Sequence, residues 1–288
     1  MKNLKLFIEL TRLDKPTGYM LLFWPCLWGL TISYDFKNDI NFFFIYGILF
    51  FLGAMLMRSA GCIVNDIIDK DFDKKVERTK NRPIASEKIT IKVALFYAMG
   101  LCLFALIILI NFNLLTIIFA LFSIPFAFSY PLIKRFTYWP QLFLGITFNY
   151  GLILAWISIK NEISLVPIIF YLGAIFWTLG YDTIYGYQDI KDDEIIGVKS
   201  TSIKFKENPK KFIFLCYTFF LASLVLIGIL MRFNIIYFML LILPMYQLFY
   251  YQLNKIEIEN PKSCLEKFKT NNFLGLIVFL NILIGKVI

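Results

Sequence analysis

The sequence predicts an all-α, polytopic membrane protein in which nine transmembrane helices form one bundle. Three observations predict this fold. Hydrophobic residues make up 59% of the 288-residue chain and charged residues only 17%, against about 45–50% and 25% in ordinary soluble proteins. The apolar residues fall into runs of about 20, the length that crosses a bilayer. The basic residues gather in alternate connecting segments, as expected when the chain weaves back and forth through a membrane.

The chain begins with an amphipathic segment, in which Glu9 and Asp14 interrupt the apolar residues and no small-residue cleavage site follows. We therefore predict a helix on the membrane surface rather than a cleaved signal peptide. A tight turn at Asn111 and Asn113 divides the longest apolar stretch into two helices. No linker interrupts residues 1–288, which are expected to form a single transmembrane domain. The nine predicted spans are 17–35, 42–66, 92–110, 113–130, 140–159, 163–186, 211–231, 233–252 and 271–288.

The basic residues orient this bundle. If the N-terminus lies inside, 24 Lys and Arg fall in inside segments and 4 in outside segments, while Arg58 lies within a span. Because basic loops stay on the cytoplasmic side, we predict a cytoplasmic N-terminus. The net charge of +9 then reflects topology and attraction to anionic lipid. No nucleic acid partner is expected, since no soluble basic face is predicted.

The chain has no histidine and five cysteines, none of them in a CxxC pair. The missing histidine excludes a Ser-His-Asp hydrolase, an HExxH metalloprotease and a His-ligated haem site. The isolated cysteines are interpreted as small packing residues. Metal chemistry would therefore depend on carboxylates, which favour a hard cation such as Mg²⁺.

Two acidic clusters follow the ends of predicted spans on the cytoplasmic side. Polar side chains in both recur at offsets of 0, 3, 7 and 11 residues, which would place them on one helical face. Asp71 and Asp192 lie off this face. The first cluster consists of Asp66, Asp69, Asp73 and Glu77, and the second of Asp182, Tyr185, Asp189 and Asp193.

A stripe of carboxylates beside hydrocarbon is unfavourable unless something neutralises it. Divalent cations could do so and could also bind an anion between the two stripes, because Mg²⁺ is commonly held by a few carboxylates and substrate phosphates. Lys80, Arg82 and Lys199 follow the clusters. The pattern therefore predicts a site for a diphosphate, although solvated loop charges at two helix ends would give a similar composition.

At these residues the sequence resembles the UbiA superfamily of membrane-embedded aromatic prenyltransferases. Asn65, Asp66, Asp69 and Asp73 match its NDxxDxxxD motif, and the second cluster matches its second aspartate motif. Six further segments resemble the 4-hydroxybenzoate polyprenyltransferase branch. They are RLDKPTG (12–18), MRSAGCIVND (57–66), NRPIAS (81–86), YPLIKRFTYWPQ (130–141), YDTIYGYQD (181–189) and IGVKST (196–201).

The resemblance implies that a polyprenyl diphosphate is ionised with Mg²⁺ and that the allylic cation attacks the 3-position of 4-hydroxybenzoate, as in ubiquinone biosynthesis. It implies that Tyr185 orients an aspartate or faces the cation. The implied metal ligands are Asp66, Asp69, Asp73, Asp182, Asp189 and Asp193. The implied substrate-binding residues are Asn65, Arg82, Tyr130, Lys134 and Lys199 for the diphosphate, and Arg58 or Arg135 for the aromatic acid.

Arg58 is a basic residue deep within a predicted span, where a charge indicates function. It could bind the carboxylate of the aromatic acid or pair with an aspartate. Arg12 and Lys15 are candidates for the entrance of the site or for lipid phosphate. Two rival functions remain: prenyl transfer to another acceptor, such as haem, a naphthoate or a chlorophyllide, and cation transport. Transport would place acidic groups near the middle of the bilayer, whereas both clusters here are predicted at one face.

Overall fold

The computed structural model describes residues 2–287, apart from the side chains of Lys2, Asn3 and Tyr130. The regular elements in this part of the chain are all helices, as the sequence predicts. In chain order they are α1 (Lys2–Thr11), α2 (Pro16–Ser33), α3 (Ile40–Ile68), α4 (Lys70–Asp73), α5 (Ile91–Leu109), α6 (Leu114–Ile133), α7 (Pro140–Lys160), α8 (Leu165–Gly186), α9 (Ile190–Ile196), α10 (Thr201–Lys204), α11 (Pro209–Leu230), α12 (Ile235–Leu240), α13 (Ile242–Met245), a π-helix (Tyr246–Asn254), α14 (Pro261–Lys269) and α15 (Asn271–Val287).

Eight stretches within residues 2–287 are helical, long and apolar enough to cross a membrane. The ninth predicted span is α2, whose 18 residues measure about 27 Å at 1.5 Å per residue. Its Trp, Tyr, Pro and Gly residues make it less apolar than the others. Because α2 packs between α3, α7 and α15, it is an inner helix that needs little lipid-facing surface. The predicted bundle is therefore confirmed, with α2 as its inner member.

Local sequence signals explain where the helices begin. Asp39 and Asn113 accept hydrogen bonds from the backbone N–H groups of Asn41 and Thr116, at 2.9 and 2.8 Å, and so cap α3 and α6. Proline stands at the first position of α2, α7, α11 and α14, where its missing N–H has no helical partner. The predicted tight turn between α5 and α6 is confirmed.

The predicted span 233–252 is interrupted. Its helix consists of α12, α13 and the π-helix rather than one continuous α-helix. Pro244 lies in α13, directly before the π-helix, and a proline inside a helix removes one backbone hydrogen bond. The looser π-helical turns follow from there.

The main core of the bundle lies among α2, α8 and α11, where large aromatic side chains stack. The ring of Trp28 lies 5.0 Å from that of Trp177 and 5.4 Å from that of Phe170, and the Trp177 ring lies 5.8 Å from that of Phe220. All four side chains are fully buried. On the other side of the bundle α5 packs against α3, and α6 packs against α7 and α3. Together with α2, these four helices enclose the space described below.

The polar segments 69–90 and 187–208 lie at the same end of the bundle. Arg78 from the first segment forms an ion pair with Asp189 from the second, and Lys134, at the end of α6, pairs with Asp69. The two acidic clusters are therefore on one side of the protein. This arrangement differs from the midplane site expected of a transporter.

Candidate active site

Three aspartates at the end of α3 form the first acidic cluster. Asp66 lies in the last turn of α3, Asp69 caps this helix, and Asp73 ends α4. The backbone N–H of Asp69 donates to the Asn65 carbonyl at 2.9 Å, and that of Asp73 donates to the Asp69 carbonyl at 2.8 Å. These bonds preserve one-turn spacing across the break between the helices. All three aspartates are buried, with 1–6% of their surface exposed.

Two arginines compensate the charge of Asp66 and Asp73. The Arg82 guanidinium donates to Asp66 at 3.1 Å and to Asp73 at 2.8 Å. Arg12, which follows α1, donates to the same Oδ1 atom of Asp66. Buried carboxylates require such partners, because an uncompensated buried charge is strongly unfavourable. Through Arg12, the segment that follows α1 is joined directly to the acidic cluster.

Asp69 has one oxygen paired and one free. Its Oδ2 accepts a hydrogen bond from Lys134 Nζ at 2.5 Å. Its Oδ1 is buried without a hydrogen-bond partner among the described residues, which is a costly arrangement for a carboxylate oxygen unless a ligand binds there. Since carboxylate oxygens are the donors that Mg²⁺ prefers, Asp69 fits a role as metal ligand.

The pKa of Asp73 is raised above its ordinary value because the side chain is buried, and Asp66 and Asp69 add to this shift. Arg82 opposes it. The cluster is therefore a place where negative charge is unfavourable without cations. Binding of a divalent metal ion would relieve this repulsion.

The second cluster is less uniform. Arg78 donates from Nε to both oxygens of Asp189, at 2.8 and 3.0 Å, and from NH1 to the Tyr185 hydroxyl at 3.1 Å. Its guanidinium also lies 5.5 Å from the centre of the Tyr185 ring. Two-pronged pairing of this kind is the usual way in which arginine fixes a carboxylate. Arg78 comes from the segment after the first cluster and so ties the two clusters together.

Asp193 lies in α9, beside Asp189. Burial raises the pKa of Asp193 to about 6, and the charge of Asp189 contributes to this shift. Lys134 and Arg78 act in the opposite direction. Lys134, which pairs with Asp69, and Arg78, which pairs with Asp189, therefore both lie near Asp193. This is the arrangement that a diphosphate with bound metal ions needs.

Asp182 is separate from the rest of its predicted stripe. It lies in α8, and its charge interacts favourably with the guanidinium of Arg58 in α3. The Arg58 guanidinium lies 5.4 Å from the centre of the Phe148 ring, and its Nε atom is buried without a partner in the described structure. This Nε atom packs against Gly18 of α2, where an added Cβ would lie 3.0 Å from it.

A cavity of about 390 Å³ begins at Arg58 and Asn65 and extends among α2, α3, α5, α6 and α7. Its remaining lining is almost entirely apolar. Along α3 it reaches from Asn65 to Leu49, a distance of about 24 Å at 1.5 Å per residue. The cavity borders the outside of the bundle between α5 and α6, where its wall includes three side chains that are 37–44% exposed: Leu106, Leu121 and Ile124.

The prediction that each cluster forms one helical face is wrong in detail. In the first cluster, Glu77 is largely exposed and pairs with Lys80 rather than with the aspartates of the cluster. In the second, α8 ends at Gly186, and Asp189 starts a new helix, α9. Both departures have the same cause: polar side chains beyond the membrane end fold into turns instead of extending the spanning helix.

Other predicted substrate-binding residues have structural contacts. Arg135 donates to the Ile68 carbonyl at 2.9 Å and so caps the end of α3. Lys199 donates through its backbone N–H to the Lys134 carbonyl at 3.0 Å and through Nζ to the Phe136 carbonyl at 3.3 Å. These contacts support the segment that presents Lys134. Tyr130 lies in α6, but its side chain is outside the part that the structure describes.

Sequence reasoning missed Arg78 and ranked Arg12 only as a residue of the entrance. No local signal identifies either contact. Asp189, the partner of Arg78, is 111 residues away in sequence, and Asp66, the partner of Arg12, is 54 residues away.

Within residues 2–287, no three acidic or cysteine side chains are already gathered around one point as metal ligands. Instead Asp66, Asp69, Asp73 and Asp189 are paired with arginine or lysine. The donor set still fits a hard cation, since it consists of carboxylates, and Oδ1 of Asp69 has no hydrogen-bond partner among the described residues.

An apolar cavity that ends at paired acidic clusters, inside a membrane bundle, is the architecture of an intramembrane prenyltransferase. The UbiA prenyltransferase family matches residues 22–281, and the chain belongs to this family. It is 42% identical over 278 residues to the mitochondrial 4-hydroxybenzoate polyprenyltransferase of Caenorhabditis elegans, covering 96% of this chain and 77% of that protein. It is 38% identical over 288 residues to 4-hydroxybenzoate geranyltransferase 1 of Lithospermum erythrorhizon, covering 99% of this chain and 92% of that protein.

Solved structures share the fold. The apo structure of a UbiA homologue from Aeropyrum pernix K1 aligns with a TM-score of 0.76 at 19% identity, covering 93% of this chain and 97% of that one. A UbiA homologue from Archaeoglobus fulgidus bound to GPP and Mg²⁺ aligns with a TM-score of 0.70 at 14% identity, covering 96% and 99%. The all-α bundle predicted from the sequence is thus the fold of this family.

Proposed function

We propose that this membrane protein transfers a polyprenyl group from a polyprenyl diphosphate to the 3-position of 4-hydroxybenzoate, with Mg²⁺, in ubiquinone biosynthesis. The observation that carries this function is the position of the acidic clusters and their cations at the polar end of a long apolar cavity. One domain spanning residues 1–288 holds both substrates. The identity of about 40% to relatives named for this reaction supports the choice of acceptor.

The diphosphate of the donor binds between the two acidic clusters. Mg²⁺ bound there stabilises the charge that develops on the leaving diphosphate. Asp66, Asp69 and Asp73 would hold one metal ion, and Asp189 and Asp193, together with Asp182 from the last turns of α8, would hold the other. Their carboxylate chemistry and the free oxygen of Asp69 support this assignment.

Basic side chains beside the clusters bind the phosphate oxygens directly. Arg12, Arg78, Arg82 and Lys134 each lie within ion-pair distance of an acidic residue of the two clusters. Their positive charges favour departure of the diphosphate in a site where water is scarce. Asn65, which lines the polar end of the cavity, contributes an amide to the same shell.

The prenyl tail lies in the apolar cavity, where it is sheltered from water. Phe148 lines this cavity beside Arg58, and an aromatic face of this kind stabilises an allylic cation. Exclusion of water prevents the cation from being quenched before it reaches the acceptor. The opening between α5 and α6 lets a donor dissolved in the bilayer enter from the side.

Arg58 binds the carboxylate of 4-hydroxybenzoate. Its positive charge and its place at the polar end of the cavity support this role. The ring then lies between Arg58 and the allylic carbon, close to Asp182. Since the chain has no histidine, the ring proton passes to an aspartate, to the released diphosphate or to water rather than to an imidazole.

The protein resides in a bacterial inner membrane, with its N-terminus and active site facing the cytoplasm. The 24-to-4 division of basic residues supports this orientation, as does the location of both clusters at one end of the bundle. Several of the similar animal proteins are named as mitochondrial. Reporter fusions at both ends of the chain test the orientation.

A direct assay tests the function. Purified protein is mixed with Mg²⁺, 4-hydroxybenzoate and a polyprenyl diphosphate, and the prenylated acid is measured by chromatography. Product is expected with Mg²⁺ and none after chelation. Parallel reactions contain a hydroxynaphthoate or haem instead. Product from one of these acceptors and none from 4-hydroxybenzoate would refute the assignment.

A further inference from the structure

Two glycines of α3 face the cavity with nothing opposite them. Gly53 and Gly61 both line it, and a Cβ atom built on either would meet no other atom within 4 Å among the described residues. Neither has the left-handed backbone that requires glycine. Inside a helix, glycine is less favourable than alanine. Helix stability therefore does not explain why glycine occupies these two positions. The structure offers another explanation, which is the cavity space that the missing side chains leave open.

Other helical glycines of the bundle serve close packing. A Cβ on Gly29 would lie 2.3 Å from the Leu152 carbonyl oxygen, and one on Gly275 would lie 2.4 Å from the Trp24 ring. Glycine is required there because two helices approach closely. Gly53 and Gly61 lack such neighbours. Gly100 in α5 is also without neighbours, but it does not line the cavity and so provides a matched control.

The two glycines lie at different depths. Counted along α3 from Asn65, at the diphosphate end, Gly61 is about 6 Å away and Gly53 about 18 Å away, at 1.5 Å per residue. A prenyl tail that starts between the acidic clusters passes Gly61 first. A geranyl tail ends before Gly53, whereas a geranylgeranyl tail has to pass it.

We propose that Gly53 determines the donor length that this protein accepts, because its missing side chain keeps the far part of the cavity open for the tail of a long prenyl diphosphate. This inference rests on the proposed function, since it concerns the donor of that reaction. According to this proposal, a single residue of α3 distinguishes donors that have the same diphosphate group and differ only in the length of the tail. A larger side chain at position 53 narrows the cavity without touching the acidic clusters.

The experiment compares Gly53→Leu with wild type and with Gly100→Leu, using geranyl and geranylgeranyl diphosphate at fixed Mg²⁺ and 4-hydroxybenzoate. In Gly53→Leu, kcat/KM for the geranylgeranyl donor should fall roughly tenfold or more, because the leucine side chain and the prenyl tail would compete for the same apolar space. The value for the geranyl donor should stay within about twofold. Gly100→Leu should leave both values unchanged. Gly53→Ala should shift the ratio in the same direction by less.

Donor binding is measured separately, as the rise in melting temperature that each diphosphate produces in detergent. Gly53→Leu should lose the rise caused by geranylgeranyl diphosphate and keep that caused by geranyl diphosphate. This readout needs no acceptor, so it tests Gly53 even if wild type makes no product and the proposed function fails. Equal losses for both donors, or no loss for either, would overturn the role of Gly53.

Discussion

The two acidic clusters have similar sequence spacing but different environments. The first is a buried group of three aspartates, of which Asp66 and Asp69 are at most 2% exposed, and three basic residues compensate it. The second is divided: Asp189 and Asp193 lie at the start of α9 and within it, while Asp182 lies deeper, beside Arg58. The carboxylates of the first cluster are therefore held together by their own helical turns and basic partners. The second cluster joins a surface segment to the polar end of the cavity.

The difference has a structural cause. Backbone hydrogen bonds bridge the break at Asp69, so the first cluster keeps its helical spacing and its side chains converge. After Gly186 the chain turns before α9 begins. Asp189 is then held by Arg78, which belongs to the segment after the first cluster. The first cluster is thus rigid, whereas the second depends on contacts between loops.

The largest effect is expected at the first cluster. Asp69→Asn keeps the size of the side chain but removes the charge that faces Lys134 and weakens the free oxygen as a ligand for Mg²⁺. We expect kcat/KM to fall at least about a hundredfold. Asp71→Asn is the control, because Asp71 is exposed and points away from the stripe. Near-normal activity of Asp69→Asn at ordinary Mg²⁺ concentrations would show that the first cluster does not bind the metal.

A smaller effect on activity is expected from changes to Arg78, whose ion pair with Asp189 joins the two clusters. Arg78→Lys keeps the charge but loses the two-pronged contact with Asp189 and the bond to Tyr185. We expect the KM for the diphosphate to rise about tenfold, in line with loss of a charge-assisted pair. Lys80→Ala, in the same exposed segment, is the control. If both variants behave like wild type, the loop contact is not needed for binding of the donor.

A further comparison separates Arg58 from the diphosphate site. Arg58→Lys retains a cation at the polar end of the cavity, and Arg58→Ala removes it. For Arg58→Ala the KM for 4-hydroxybenzoate should rise about tenfold or more and that for the diphosphate much less, since a buried charged contact to the acid is lost. Arg58→Lys should restore part of the difference. Equal increases for both substrates would remove Arg58 from the acid site.

The fold and much of the site follow from the sequence because their signals are local. Apolar runs define the helices, and Asp66, Asp69 and Asp73 mark a cluster through their spacing alone. The contacts of Arg12 and Arg78 could not be predicted in this way, because they depend on how helices and loops meet in space. Glu77 illustrates a different error. Its helical spacing predicts a place beside the three aspartates, but the helix ends at Asp73, before Glu77 is reached. Periodicity holds only as far as the regular element that produces it.

The smallest effect concerns the stability of the second cluster. Burial raises the pKa of Asp193 to about 6, above the ordinary value of roughly 4. A carboxyl with a raised pKa stabilises the folded state when protonated, at low pH, and this contribution is lost as the pH rises through about 6. Asp193→Asn stays neutral, so without metal it should melt higher than wild type at pH 8 and about equally at pH 4.5. Asp192→Asn, at the neighbouring position, is the control. A gain that is the same at both pH values would show that the charge of Asp193 is not the cause.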